Sequence, residues 1–168
     1  DGGETWEKLN YPTPDWQIRG INFINNNTGF ITREHGVYKT TDAGETWEFI
    51  DIEILTGLEK TWFLNDTVGF AFGFYSAIAK TIDGGESWEV LSFSINEENY
   101  YDAIGFADLQ TGYIVGKKEF TGEEPVCRRT TDGGHTWTDI ELSDRIETVK
   151  GLAVLGPDEL WIGAGNSL

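Results

Sequence analysis

Thr40-Thr41-Asp42-Ala43-Gly44-Glu45-Thr46-Trp47 is the stretch whose recurrence decides the fold. The pattern of hydroxyl, aspartate, glycine, hydroxyl and tryptophan returns as Thr81-Ile82-Asp83-Gly84-Gly85-Glu86-Ser87-Trp88 and as Thr130-Thr131-Asp132-Gly133-Gly134-His135-Thr136-Trp137. The chain opens inside one more copy, Asp1-Gly2-Gly3-Glu4-Thr5-Trp6. The tryptophans stand at 6, 47, 88 and 137, so the repeat runs 41, 41 and then 49 residues. A period of ~40–50 residues is that of one four-stranded propeller blade.

Upstream of each complete copy three apolar runs recur. The first is half-apolar and ends in an Asn or Asp turn: Gln17 to Ile24, Glu59 to Leu64, and Tyr101 to Ala107. A Gly-aromatic run follows, Gly29 to Ile31, Gly69 to Gly73, and Gly112 to Gly116. A hairpin then leads into Val37 to Thr40, Ala77 to Thr81, or Val126 to Thr130. These are read as strands A, B and C of one blade, with the quoted turn between C and D and the tryptophan opening D. Val, Ile, Phe, Tyr and Trp fill the runs while Gly, Asn and Asp punctuate them, and no segment holds a helical period, so the chain is expected to be all-β.

The turn chemistry accounts for its own residue types. Asp42, Asp83 and Asp132 can accept backbone N–H bonds within their own turns, Gly44, Gly85 and Gly134 permit a positive φ, and the hydroxyls of Thr40, Thr46, Thr81, Ser87, Thr130 and Thr136 can close the remaining local bonds. Trp47, Trp88 and Trp137 are then expected to be largely buried between neighbouring sheets.

This turn strongly resembles the Asp-box of BNR-type propellers, Ser/Thr-X-Asp-X-Gly-X-Thr-Trp, in three full copies and one truncated copy. The resemblance implies antiparallel four-stranded blades and about four repeats. Residues 1–9 are read as the end of one blade, 16–50, 57–91 and 101–140 as full blades, and 146–168 as the start of another. Trp6 to Leu9 is expected as a strand D, and Leu168 falls in register with Ile78. A piece of a larger ring is favoured over a self-contained four-bladed one. In sialidases with this motif the box lies opposite the catalytic pocket, so its aspartates are implied to be structural.

Twelve Lys and Arg against 29 Asp and Glu leave a net charge of −17. Such a chain repels phosphate backbones and anionic lipid, so neither nucleic acid nor membrane insertion is expected, and Phe70 to Ala79 is too short to span a bilayer. His35 and His135 have no second His or Cys at ligand spacing, no Asp-X-Asp-X-Asp-Gly loop occurs, and each Gly-Gly opens a strand instead of a helix. No metal and no cofactor are therefore expected. Cys127 is read as a buried thiol.

The loops opposite the boxes form the face for a ligand. Trp16, Arg33, His35, Phe74, Tyr75, Tyr101, Lys117, Lys118 and Phe120 are the candidates, since exposed aromatics beside charges suit a protein or glycan, although ordinary packing at blade tips is the stronger account of them. A sialidase site would need three converging arginines, and Arg128 and Arg129, as strand neighbours, point to opposite faces.

The whole phrase is closest to photosystem II stability/assembly-factor-like propellers and is similar to sortilin-type and secreted bacterial BNR proteins. The resemblance implies a non-enzymatic scaffold, extracellular, at the cell surface or periplasmic, that binds a protein or glycan. The alternatives are a fragment of a xyloglucanase-like or sialidase-like glycoside hydrolase and a structural spacer. Oligomeric state is left open.

Overall fold

The computed structural model describes residues 3–6, 18–53, 56–92, 99–118, 124–143 and 146–165. Every regular element among them is a strand: β1 (Gly20–Phe23), β2 (Gly29–Arg33), β3 (Gly36–Thr40), β4 (Glu48–Asp51), β5 (Leu58–Phe63), β6 (Gly69–Gly73) and β7 (Ile78–Thr81). They continue as β8 (Glu89–Ser92), β9 (Asn99–Phe106), β10 (Gly112–Lys118), β11 (Pro125–Thr130), β12 (Thr138–Asp139), β13 (Thr148–Gly156) and β14 (Glu159–Gly165).

The strands form antiparallel meanders, β1-β2-β3-β4, β5-β6-β7-β8 and β9-β10-β11-β12, followed by the pair β13-β14. Sequential hairpins explain the order, because each strand pairs with the one made just before it. The three full meanders are blades A-B-C-D, and the fourth sheet shows A and B. The chain is an all-β arc of propeller blades. Of the first expected strand D, Trp6 lies outside any strand and is 91% exposed. Residues 7–9 and Leu168 lie outside the described residues.

The core is a set of seams between blades. Phe30, Val37 and Ile52 of the first blade meet Leu58, Ala71, Ala77 and Ala79 of the second. Phe70, Phe72 and Ile78 of the second meet Ile104, Phe106, Ile114 and Val126 of the third. Val115 and Cys127 of the third meet Val149, Leu152, Leu160 and Ile162 of the fourth. Second strands such as β6 are buried along their whole length because they sit mid-sheet with a blade on each side, and they therefore read as continuous apolar runs. Burial pushes the Cys127 thiol up to about 11.

The box tryptophans differ from expectation. All three are half-buried, because each indole folds back over its own turn at the rim instead of entering a seam fully. Trp47 and Trp137 donate Nε1–H to the Gly44 and Gly134 carbonyls at 3.0 Å, and the rings stand edge-on to Phe23 and Phe106 of their own blades. Trp88 stands edge-on to both Phe63 and Phe30, and its Nε1 is buried with no partner.

Candidate functional site

Because strand directions alternate, all box turns and A-to-B turns collect on one rim, and the B-to-C turns and D-to-A connections on the other. On the box rim, Asp42 Oδ1 accepts from the Thr46 N–H at 2.9 Å and from the Thr40 hydroxyl at 2.7 Å, while Thr40 Oγ1 accepts from the Gly44 N–H at 2.9 Å. Asp83 with Thr81, Gly85 and Ser87, and Asp132 with Thr130, Gly134 and Thr136, make the same set. Side-chain and backbone donors from Thr46 and Ser87 hold the Asp42 and Asp83 carboxyls down at about 2, and those of Thr136 lower Asp132 likewise. A carboxylate so strongly stabilised as an anion is a poor proton carrier at neutral pH.

Each box also clamps its own blade. Ala43, Gly84 and Gly133 donate to the Asn27, Thr67 and Gln110 carbonyls of the A-to-B turns at 2.8–2.9 Å. Those turns are held by Asn25, Asn65 and Asp108, whose Oδ1 atoms accept two backbone N–H bonds apiece. The boxes reach across seams as well, since Lys39 of the first blade pairs with Glu86 at 2.6 Å and Lys80 of the second donates to the Gly133 carbonyl at 2.8 Å.

The opposite rim holds a cavity of about 280 Å³ between the first two blades, lined by Arg19, Glu34, Thr56, Gly57, Glu59, Phe74 and Tyr75. Arg19 bridges Glu34 of its own blade at 3.0 Å and Glu59 across the seam at 3.3 Å, so one guanidinium joins carboxylates of two blades. The aromatic wall is fixed by backbone: Phe74 N–H donates to the Gly57 carbonyl at 2.7 Å, and Ser76 N–H donates to the Asn99 carbonyl at 3.0 Å. Tyr75 and Ser76 both hold a left-handed backbone, with φ of 57° and 55°. Consecutive non-glycine residues in that region are sterically costly and persist only where surrounding structure imposes them. Tyr100 extends the wall, 4.4 Å from the Phe74 ring. Beyond it Lys60 lies 5.8 Å over the Tyr100 ring, and Asp102, buried at the seams, takes Lys60 at 3.6 Å and Lys150 at 3.2 Å.

Of the residues expected on this face, Phe74 and Tyr75 are together at the cavity. Arg33 and His35 sit nearby in strand and turn but pack on Tyr38 and Phe49 respectively. Lys118 is paired with Glu124 at 2.8 Å and Lys117 is half-buried at the end of β10; neither lines the cavity. Trp16 and Phe120 lie outside the described residues. Tyr101 corrects the expectation. It is 1% exposed, and its hydroxyl accepts from Arg128 at 2.9 Å, because a bulge opposite Val115 and Gly116 leaves Asp102 unpaired and shifts the alternation of β9. Tyr100 takes the surface place instead. Arg19, Glu59, Lys60, Asp102 and Lys150 escaped the sequence reading because they become partners only once blades stand side by side. Among the described residues no group of three or more His, Cys, Asp or Glu is placed to hold a metal ion.

The profile of the photosynthesis system II assembly factor YCF48 family matches residues 45–160. The chain belongs to the YCF48 family. Its blades superpose on YCF48 from Cyanidioschyzon merolae with a TM-score of 0.65 at 16% identity, covering 96% of this chain and 60% of that one. YCF48 bound to D1 peptide gives 0.58 at 20% identity, covering 73% and 38%. A GH74 enzyme of Niastella koreensis gives 0.64 at 17%, covering 88% and 26%. At these identities the likeness speaks for the fold alone, and this chain spans less than two thirds of each of those proteins. No curated protein matches it in sequence. The YCF48 match contradicts the expected extracellular, cell-surface or periplasmic location, because the matched family is named for a photosystem II assembly factor and not for an extracellular protein. The chain is a β-propeller scaffold of the YCF48 family.

Proposed function

We propose that the scaffold binds a protein segment on the rim opposite the boxes, in the notch between the first two blades, and carries out no chemistry there. The observation that carries this reading is the wall of Phe74, Tyr75 and Tyr100, held in a costly backbone beside the Arg19–Glu34–Glu59 cluster. Rigid aromatics next to fixed charges are the composition of a protein-binding hot spot. YCF48 bound to D1 peptide supports a peptide over a glycan as the ligand. The boxes serve to hold the blades, with their carboxylates engaged in turn bonds.

The GH74 likeness supplies a hydrolase as the competing reading. A glycosidase needs one carboxyl raised to act as acid. Here Glu34 and Glu59 share one guanidinium, and every described carboxylate with a shifted pKa is shifted down.

Titration of a labelled D1 peptide against the chain tests the proposal. Saturable binding that weakens by about tenfold or more in Tyr75→Ala is expected. Absence of binding, or equal binding by the variant, sinks it.

A further inference from the structure

Three facing pairs line the first seam in turn, from the box rim to the notch. Phe63 stacks on Phe30 with centroids 4.7 Å apart. Thr32 and Thr61 stand two residues nearer the notch on their strands, and Glu34 and Glu59, which share Arg19, stand two nearer still. Alternation puts both threonines in the seam. Thr32 lies on the side of β2 that carries Phe30, while the neighbours of Thr61 turn toward the third blade: Lys60 donates to the Asp102 carbonyl at 2.8 Å, and Trp62 stacks on Phe106.

The middle pair sets this seam apart. Register makes Thr32 equivalent to Phe72 and Val115, the fourth residues of β6 and β10, and Thr61 equivalent to Ile104, each paired with the third residue of its strand B. Phe72 and Ile104 belong to the core of the second seam and Val115 to that of the third. In the first seam the same places hold hydroxyls, and Thr32 Oγ1 and Thr61 Oγ1 are both buried with no hydrogen-bond partner. Gly20, paired with Thr32, brings the backbones of the two blades together beside them, because a Cβ there would fall 2.6 Å from the Glu59 carbonyl oxygen. Beside Leu58, the second blade adds only alanines to the buried part of this core, Ala71, Ala77 and Ala79, whereas the third blade adds Ile104, Phe106, Ile114 and Val126 to the next one.

A buried hydroxyl without a partner costs the closed state its desolvation and regains water when the seam parts. Small side chains also give up little apolar contact in parting. We propose that the first seam is the joint of the arc: the first two blades part there more readily than the second and third do, and the notch lying across that seam widens as they part. Thr32 and Thr61 set the balance by keeping unsatisfied polar groups in the closed joint. The joint belongs to the free scaffold, so it stands whether or not a peptide fills the notch.

Amide hydrogen exchange followed by NMR reads the two seams separately. Leu58 N–H donates across the first seam to the Glu34 carbonyl at 3.1 Å, and Ser76 N–H donates across the second to the Asn99 carbonyl at 3.0 Å; both residues are fully buried. Protection at Leu58 is expected to be about tenfold or more below that at Ser76. Thr32→Val combined with Thr61→Val keeps the side-chain shape and removes both hydroxyls, so Leu58 should gain about tenfold in protection relative to Ser76. Should the two changes together prevent folding, either change alone is expected to give a relative gain of about threefold. Equal protection at the two amides of the unaltered chain or a gain shared alike by both would overturn the proposal. So would a loss of protection at Leu58 in the valine variants, which would mean that water satisfies the hydroxyls in the closed seam.

Discussion

At the box rim three turns of related sequence make the same bonds at nearly the same lengths, 2.9, 2.8 and 2.9 Å from glycine N–H to threonine hydroxyl. At the opposite rim the connections share no such set. Gly57 bonds Phe74, Asn99 bonds Ser76, and the third blade closes its B-to-C hairpin with Lys118 donating backbone N–H to Glu124. The same strands run between both rims, so the contrast lies in the turns. Where a turn's own side chains satisfy its backbone, its sequence is constrained and repeats. Where backbone groups of the same or a neighbouring blade do so, each connection can differ, and a binding surface can be placed there without weakening the blades.

The sharpest way to break the contrast is to empty a seam beneath the boxes. Phe70 is buried, and a Cβ built on Gly134 comes within 3.1 Å of its ring, so Phe70→Ala should cost about 3–5 kcal/mol in urea unfolding. A loss below about 1 kcal/mol would mean that the box rim is not held by the seam under it. Within one turn, Gly85 has φ of 82°, and a Cβ there would fall 2.5 Å from Phe30, so Gly85→Ala should cost about 2–3 kcal/mol. The carboxylates give a pH signature. Their native pKa values lie below the unfolded value of ~3.9, so their stabilisation is present above about pH 4 and is lost as pH falls through about 2. The thermal midpoint should fall across that window, and fall less steeply in Asp42→Asn combined with Asp83→Asn; equal slopes would refute the assignment. The smallest effect belongs to the variable rim, where Tyr75→Gly relieves a left-handed residue and should leave stability unchanged or raised by up to ~1 kcal/mol. A marked loss there would erase the contrast between rims.

The blades were legible because the Asp-box fixes its turn by local chemistry, and local chemistry is written consecutively in the chain. Strands B and C were legible for a related reason, as apolar runs between glycine and threonine. The notch was only half legible. Phe74 and Tyr75 stood out as aromatics in a hairpin, but Arg19 and Glu59 are separated by a whole blade in sequence and meet only across a seam. Tyr101 misled because one bulge in β9 exchanges the inward and outward faces, and nothing in Asn99 to Ala103 announces it. The tryptophans were placed correctly by sequence position but not by burial: Trp47 and Trp137 bond their own turns, and Trp88, without that bond, is half-buried as well.

Cys127 lies where β11 faces the fourth sheet, beneath Val149, with its thiol held protonated by burial. Alkylating reagents attack the thiolate, so in the closed arc this sulfur should be nearly inert at neutral pH, and modification should await a fluctuation that parts the third sheet from the fourth. The labelling rate is then a clock for that one fluctuation. Because the chain has a single cysteine, the clock reads without interference from any other thiol.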